Sequence, residues 1–172
     1  MDKALRECTS YWPRLAAIVL AAAVGPAVQA QQAGKQLIGT WTLVSAVNTR
    51  PDGSKADMFG PNAKGILFFD ASGRYALQVC RTDRPKFASG NRETGTPEEN
   101  QAVLRGCNSH WGTYKVGESD RSIAFNIEHS LFPNWEGIQQ TRTFQVNGSE
   151  MKYMVPEASA GGTAELSWKL AK

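Results

Sequence analysis

The sequence predicts an all-β domain: eight antiparallel strands in up-and-down order, closed into a barrel, with one short helix in the loop between strands 3 and 4. Three observations carry this. Apolar and polar residues alternate in run after run, tight turns link successive runs, and only one segment has the start and stop signals of a helix.

Alternation supplies the strands. In 37–47, Gly39, Trp41, Leu43, Ser45 and Val47 are expected on one face, opposite Thr40, Thr42, Val44 and Ala46. In 74–81, Tyr75, Leu77, Val79 and Arg81 point one way and Arg74, Ala76, Gln78 and Cys80 the other. Period two continues through Ile123, Phe125, Ile127 and His129, through Ile138, Gln140, Arg142, Phe144 and Val146, and through Ala164, Leu166, Trp168 and Leu170. One wet and one dry face suit an antiparallel sheet. Turns at 70–73, 117–121 and Asn147-Gly148, the last read as type I′, make the order up-and-down. Closure then removes the exposed edges. Asn147-Gly148-Ser149 also matches a glycosylation sequon, which the tight turn explains better.

The helix belongs to the longest interruption, 82–109. Thr96 can cap it, Pro97 fits its first turn, Glu99 completes a capping box, and Gly106 is a natural stop after a run to about Leu104. An insertion of this length in a compact domain is expected to be a lid, a binding loop or a cap over the core.

Residues 1–30 read as an export signal: Lys3, Arg6 and Arg14 precede an apolar stretch at 15–24, and Val28-Gln29-Ala30 offers small residues for cleavage. The stretch is shorter than the roughly 20 residues a membrane-spanning helix needs, and no later segment approaches that length. An uncleaved N-terminal anchor is the alternative. Residues 31–36 are then a short linker and 37–172 one barrel domain, exported to the periplasm or secreted. Of 19 basic and 16 acidic residues, the leader holds Lys3, Arg6, Arg14, Asp2 and Glu7, which leaves 16 against 14. Near-neutral and scattered, these charges lack the footprint of a nucleic-acid binder.

Cys8 leaves with the signal, so Cys80 and Cys107 remain as a pair in a compartment where disulfides persist. A bridge between them would contribute about 3 kcal/mol on the chain-entropy model; the alternative is two buried thiols that merely pack. With no Cys-x-x-Cys and two histidines in all, neither a redox nor a metal site is expected, and no cofactor is called for.

Four charged or titratable side chains stand out. Arg142 shares the inward face with Phe144 and Val146, where a guanidinium needs a carboxylate, a ring face or several carbonyls. Its structural role would be to stack on Trp41 and close the barrel from beneath; its functional role would be to anchor an acidic ligand group. Arg81, in phase with Tyr75, Leu77 and Val79 at the loop end of its strand, is expected at a pocket mouth, with Arg84 following in the insertion. His129 is expected inward with Phe125 and Ile127, as a hydrogen-bonded core residue or a proton donor or acceptor, and His110 outward. Trp135 and Phe132 would gate the mouth or pack on the helix. The Gly-x-Ser-x-Gly elbow, the phosphate-binding glycine loop and His-Glu-x-x-His are all missing, and Ser130 beside His129 faces the other way on a strand.

Gly39-Thr40-Trp41, Phe59-Gly60-Pro61, Asp83-Arg84-Pro85 with Phe87-Ala88-Ser89-Gly90, Gly95-Thr96-Pro97-Glu98-Glu99, and Ser130-Leu131-Phe132-Pro133-Asn134-Trp135 together resemble the bacterial and fungal lipocalin-like domain family, over nearly the whole of 37–170. The resemblance implies a calycin-type barrel with an internal pocket. More distant relatives in fungal biosynthetic pathways act as cyclases or isomerases, so the fold does not exclude catalysis. Ordinary lipocalins place a long helix after the last strand and draw from that strand an arginine that packs on the opening tryptophan. Here that end offers only Lys169, which leaves Arg142 for the role.

The leading expectation is a barrel binding a small, largely apolar molecule, aromatic or acidic, among Trp41, Tyr75, Leu77, Tyr114, Phe125, Tyr153 and Trp168, with Arg81, Arg142 and His129 orienting its polar end. The alternatives are a cofactor-free isomerase or cyclase moving a proton through His129 or Tyr114, and a packed barrel serving as an interaction module.

Overall fold

The computed structural model describes residues 34–117, 121–158 and 161–172. The proposed leader lies outside them. Nine strands form one sheet: β1 (Gly39–Thr49), β2 (Lys55–Asp57), β3 (Lys64–Phe69), β4 (Arg74–Cys80), β5 (Cys107–Val116), β6 (Ser122–Ser130), β7 (Gln139–Asn147), β8 (Glu150–Val155) and β9 (Thr163–Leu170). Every pairing is antiparallel, and β9 returns to pair with β1, so eight strands close a barrel in up-and-down order. The ninth, β2, is a three-residue addition on the late part of β1.

Helix α1 (Pro97–Gly106) lies between β4 and β5, the third and fourth barrel strands. Its start is written in local chemistry. The Thr96 side chain accepts from the Glu99 backbone N–H, and the Glu99 carboxylate accepts from the Thr96 N–H at 2.9 Å and the Ala88 N–H at 2.8 Å. Glu99 therefore also ties the incoming loop to the helix. α1 runs straight into β5, where Cys107 stands directly opposite Cys80 and is bonded to it.

One end of the barrel is solid. Trp41 is fully buried there and its indole N–H donates to the Leu37 carbonyl at 2.8 Å, so a helical turn at 34–37 closes the floor. Phe69, Tyr114, Phe125 and Trp168 fill the space above it, and the Tyr114 hydroxyl reaches the Asp70 carbonyl in the β3–β4 turn.

Two bulges shift faces that strict alternation assigned. In β1 the register with β9 skips between Leu43 and Ser45, so Trp41 points inward before the skip while Ala46 and Asn48, not Val47, are the buried positions after it. In β6, Trp111 pairs with His129 but Gly112 pairs with Ile127, leaving Glu128 as the extra residue. The strand turns over at that point, and His129 goes outside. The β7–β8 turn also differs from expectation. Of its two loop residues only Gly148 has a positive φ, at 59°, the pattern of type II′ rather than I′.

The β5–β6 bulge draws the two backbones so close that a Cβ on Gly112 would run into the carbonyl oxygen of Asn126. Gly112→Ala must therefore displace backbone, and chemical denaturation should show a loss of roughly 1–3 kcal/mol, where a neutral result would mean the bulge relaxes freely.

Candidate functional site

Above the packed half, the barrel opens. A cavity of about 640 Å³ occupies the end where β1, β4 and β8 finish and β5, β7 and β9 begin. Its wall is largely apolar, with Leu77, Val79, Val155 and Leu166 from the strands and Phe59 from the segment after β2. Leu104 of α1, with Leu131, Phe132 and Trp135 from the β6–β7 connection, forms the mouth. Pro133–Trp135 is a 3-10 turn that directs Trp135 over the opening, where its ring meets Phe132 edge-on at 5.5 Å. The barrel is thus not filled throughout.

Arg50, Asp57, Arg105 and Glu157 also line the pocket, at exposed positions, and the buried charge on this wall is Arg142. It is 4 % exposed, and β7 brings it inward between Gln140 and Phe144. One terminal nitrogen donates to Gln140 Oε1 at 2.8 Å, and the guanidinium carbon lies 4.7 Å from the ring centre of Phe125 and 4.9 Å from that of Tyr153. No carboxylate forms an ion pair with it among the described residues, and its Nε has no hydrogen-bond partner. The expected stacking on Trp41 is not what happens. Trp41 sits at the floor with the Leu37 carbonyl, and Arg142 stands higher, on the cavity wall, between two other aromatic rings.

Among the described residues, two more buried polar atoms on the wall lack hydrogen-bond partners: the Tyr153 hydroxyl and Asn48 Oδ1. Burial raises the Tyr153 pKa, outweighing the nearby Arg142 charge and contacts with Arg142 and Trp168 that favour the ionised form. Tyr153 is therefore a neutral O–H beside a permanent cation. Together they make a pole suited to an anion or a carbonyl oxygen.

Behind the wall lies a second polar pair. His110 is 1 % exposed, and its Nδ1 is 2.8 Å from the Tyr75 hydroxyl. Burial first, then the Arg142 charge, lower its pKa from 6.5 to about 3, so the imidazole is neutral. Burial likewise raises Tyr75. The expectation that His110 faces outward misreads the strand: 110 shares parity with the inward positions 112 and 114.

The other expected site residues scatter. Trp135, Leu77 and Tyr153 reach the cavity wall beside Arg142. Phe125 and Tyr75 stand one layer behind, Phe125 against Arg142 and Tyr75 edge-on to Phe125 at 4.7 Å. Trp41, Tyr114 and Trp168 belong to the packed core. Arg81 is outside, spent on a two-pronged contact with Asp83 at 2.8 Å for each bond. Arg84 donates to the Arg81 carbonyl and to Cys107 Sγ, bracing the insertion rather than facing a ligand. The His129 side chain is 63 % exposed, packed on Trp111 and 3.4 Å from Glu136, so it is no inward proton carrier. Asn48, Gln140 and His110 are inward polar residues that the sequence pattern does not single out. Parity is enough to find His110, and Gln140 shares the face of Arg142, whereas nothing in the sequence announces the bulge that turns Asn48 inward. Among the described residues no cluster of three His, Cys, Asp or Glu side chains could hold a metal, and no helix is long and apolar enough to cross a membrane.

A closed eight-stranded barrel, solid at one end and hollow at the other, with its largest loop at the open end, is a lipocalin-type scaffold. The lipocalin-like domain family matches residues 38–170, and the chain belongs to that family. Among solved structures, two single-site mutants of the fluorescent protein UnaG are similar in outline. One aligns with 10% identity and a TM-score of 0.38 over 80% of this chain and 98% of its own, the other with 11% identity and a TM-score of 0.38 over 80% and 97%. No curated protein matches.

The buried imidazole gives stability a sign with pH. Between pH 6.5 and about 3 the unfolded chain binds a proton at His110 that the folded chain refuses, so this contribution is intact above pH 6.5 and is lost as the pH falls. At roughly 1.4 kcal/mol per pH unit, moving from pH 7 to 4.5 should cost the wild type about 2–3 kcal/mol more than His110→Gln. Urea unfolding of both proteins at the two pH values measures the difference, and parallel losses would mean that His110 titrates normally.

Proposed function

We propose that this protein is an exported binder of a small, largely apolar molecule that carries an acidic group, held in the open half of the barrel with the acid at Arg142. One observation carries the reading: among the described residues, a buried arginine on a cavity wall has no carboxylate partner, and its neighbour Tyr153 has a hydroxyl without a hydrogen-bond partner. An isolated cation is costly to desolvate, and the neutral Gln140 oxygen and two ring faces offset only part of that cost. A bound anion would supply the rest. The apolar wall and aromatic mouth would take the remainder of the molecule.

Export rests on the leader-like residues 1–30 and on the Cys80–Cys107 bond, which suits an oxidising compartment. Expression of the full chain in a Gram-negative host should yield periplasmic or secreted protein whose mass corresponds to loss of about thirty N-terminal residues, as the signal-peptide pattern implies; full-length protein held in the cytoplasm would contradict export.

Calorimetric titration with decanoate and decanol tests the binding role. Decanoate should bind the wild type, and Arg142→Met should weaken it by about tenfold or more, the scale of one charge-assisted hydrogen bond, while leaving decanol unchanged. Equal loss for acid and alcohol would remove Arg142 as the acid's anchor.

A further inference from the structure

The cavity has a second polar pole across the wall from the first. Asn48 is buried, and its Nδ2 donates to the Gly161 carbonyl at 3.0 Å. That bond fixes the amide: the nitrogen must face the carbonyl, so Oδ1 is left as an acceptor, and among the described residues it has no donor. The unpartnered groups at the other pole are the Arg142 Nε–H, a donor, and the Tyr153 hydroxyl, which can donate or accept, and neither meets Asn48.

Strand register sets the two poles on one level. Asn48 pairs with Ala164, Ala164 pairs with Val155, and the pairing of Met154 with Thr143 brings Val155 alongside Arg142. Three strand spacings separate Asn48 from Arg142, about 14 Å measured along the curved wall. Val155 and Leu166 line the stretch between them and offer no polar side-chain atom. The wall therefore reads, around its circumference, as acceptor, apolar span, donors.

We infer that the molecule bound here has two polar heads on an apolar skeleton, an acid for Arg142 and an O–H or N–H donor for Asn48, and that Asn48 selects for the second head. The inference rests on the acid-binding reading above and adds to it the chemistry of the far end. A buried acceptor with a fixed orientation discriminates sharply, because a ligand lacking the donor leaves it unpaired at a buried position. A bulge that turns Asn48 inward, where plain alternation would have left Val47, is what creates this pole.

Matched ligands test it in calorimetry: decanoate, 10-hydroxydecanoate, whose hydroxyl lies at the far end, and 3-hydroxydecanoate, whose hydroxyl lies beside the acid. The wild type should bind the 10-hydroxy acid about tenfold tighter than decanoate, and the 3-hydroxy acid no tighter than decanoate. Asn48→Leu should abolish the preference, bringing the affinity ratio of the 10-hydroxy acid to decanoate down to about one, and Arg142→Met should weaken all three. Should all three acids bind the wild type alike while Arg142→Met still weakens them, the second pole is overturned and the acid site stands. Should no acid bind, or Arg142→Met change nothing, the acid-binding reading falls and this inference with it. The comparison of the three ligands on the wild type decides the matter even where Asn48→Leu fails to fold.

Discussion

β1 serves three neighbours at once, and the barrel depends on how it divides its edges among them. Its first residues pair with β3, its last with β2, and nearly its whole length with β9 on the other side. That last ladder is the seam that turns a sheet into a closed wall. A straight β1 could not follow the curvature from floor to mouth with one face inward. The skip at Val44 supplies the bend and gives the two parts of the strand different roles. Trp41 below it packs the floor, while Asn48 above it faces the hollow.

Electrostatics then distinguish the two halves. In the lower half, two polar atoms among the aromatic rings are answered locally, the Trp41 indole by the Leu37 carbonyl and the Tyr114 hydroxyl by the Asp70 carbonyl. In the upper half a permanent cation is buried against rings and a neutral amide. Its field helps keep His110 neutral and opposes the effect of burial on Tyr75 and Tyr153. A barrel built only for packing has no use for such a charge, since apolar residues of similar volume commonly give equal or greater stability.

Local chemistry was legible in the sequence and pairing was not. The capping box of α1 involves residues three apart, and Thr96, Pro97, Glu99 and Gly106 could be read without any partner. Parity placed Tyr75, Leu77, Phe125, Arg142 and Trp168 inward, because their strands run regularly past those positions. It failed for His129 and for Ser45 and Val47, since a bulge exists only between two strands and leaves no mark on one of them. Arg81 and Arg84 failed for another reason: each found partners within its own loop, Asp83 and the Arg81 carbonyl, before any ligand could be considered. Asn48 and Gln140 are neutral amides, which draw no attention until their surroundings are known.

The bond between Cys80 and Cys107 joins residues already opposite each other in the β4–β5 ladder, so it adds little to the wall. Its effect falls on what lies between them. The insertion carrying α1 is a covalently closed ring with both feet on adjacent strands. A protease that cut its exposed loop would produce two chains that still travel as one molecule, with the barrel paired and the severed ends anchored at the rim. As long as that bond stays oxidised, this exposed insertion can be cut without being lost.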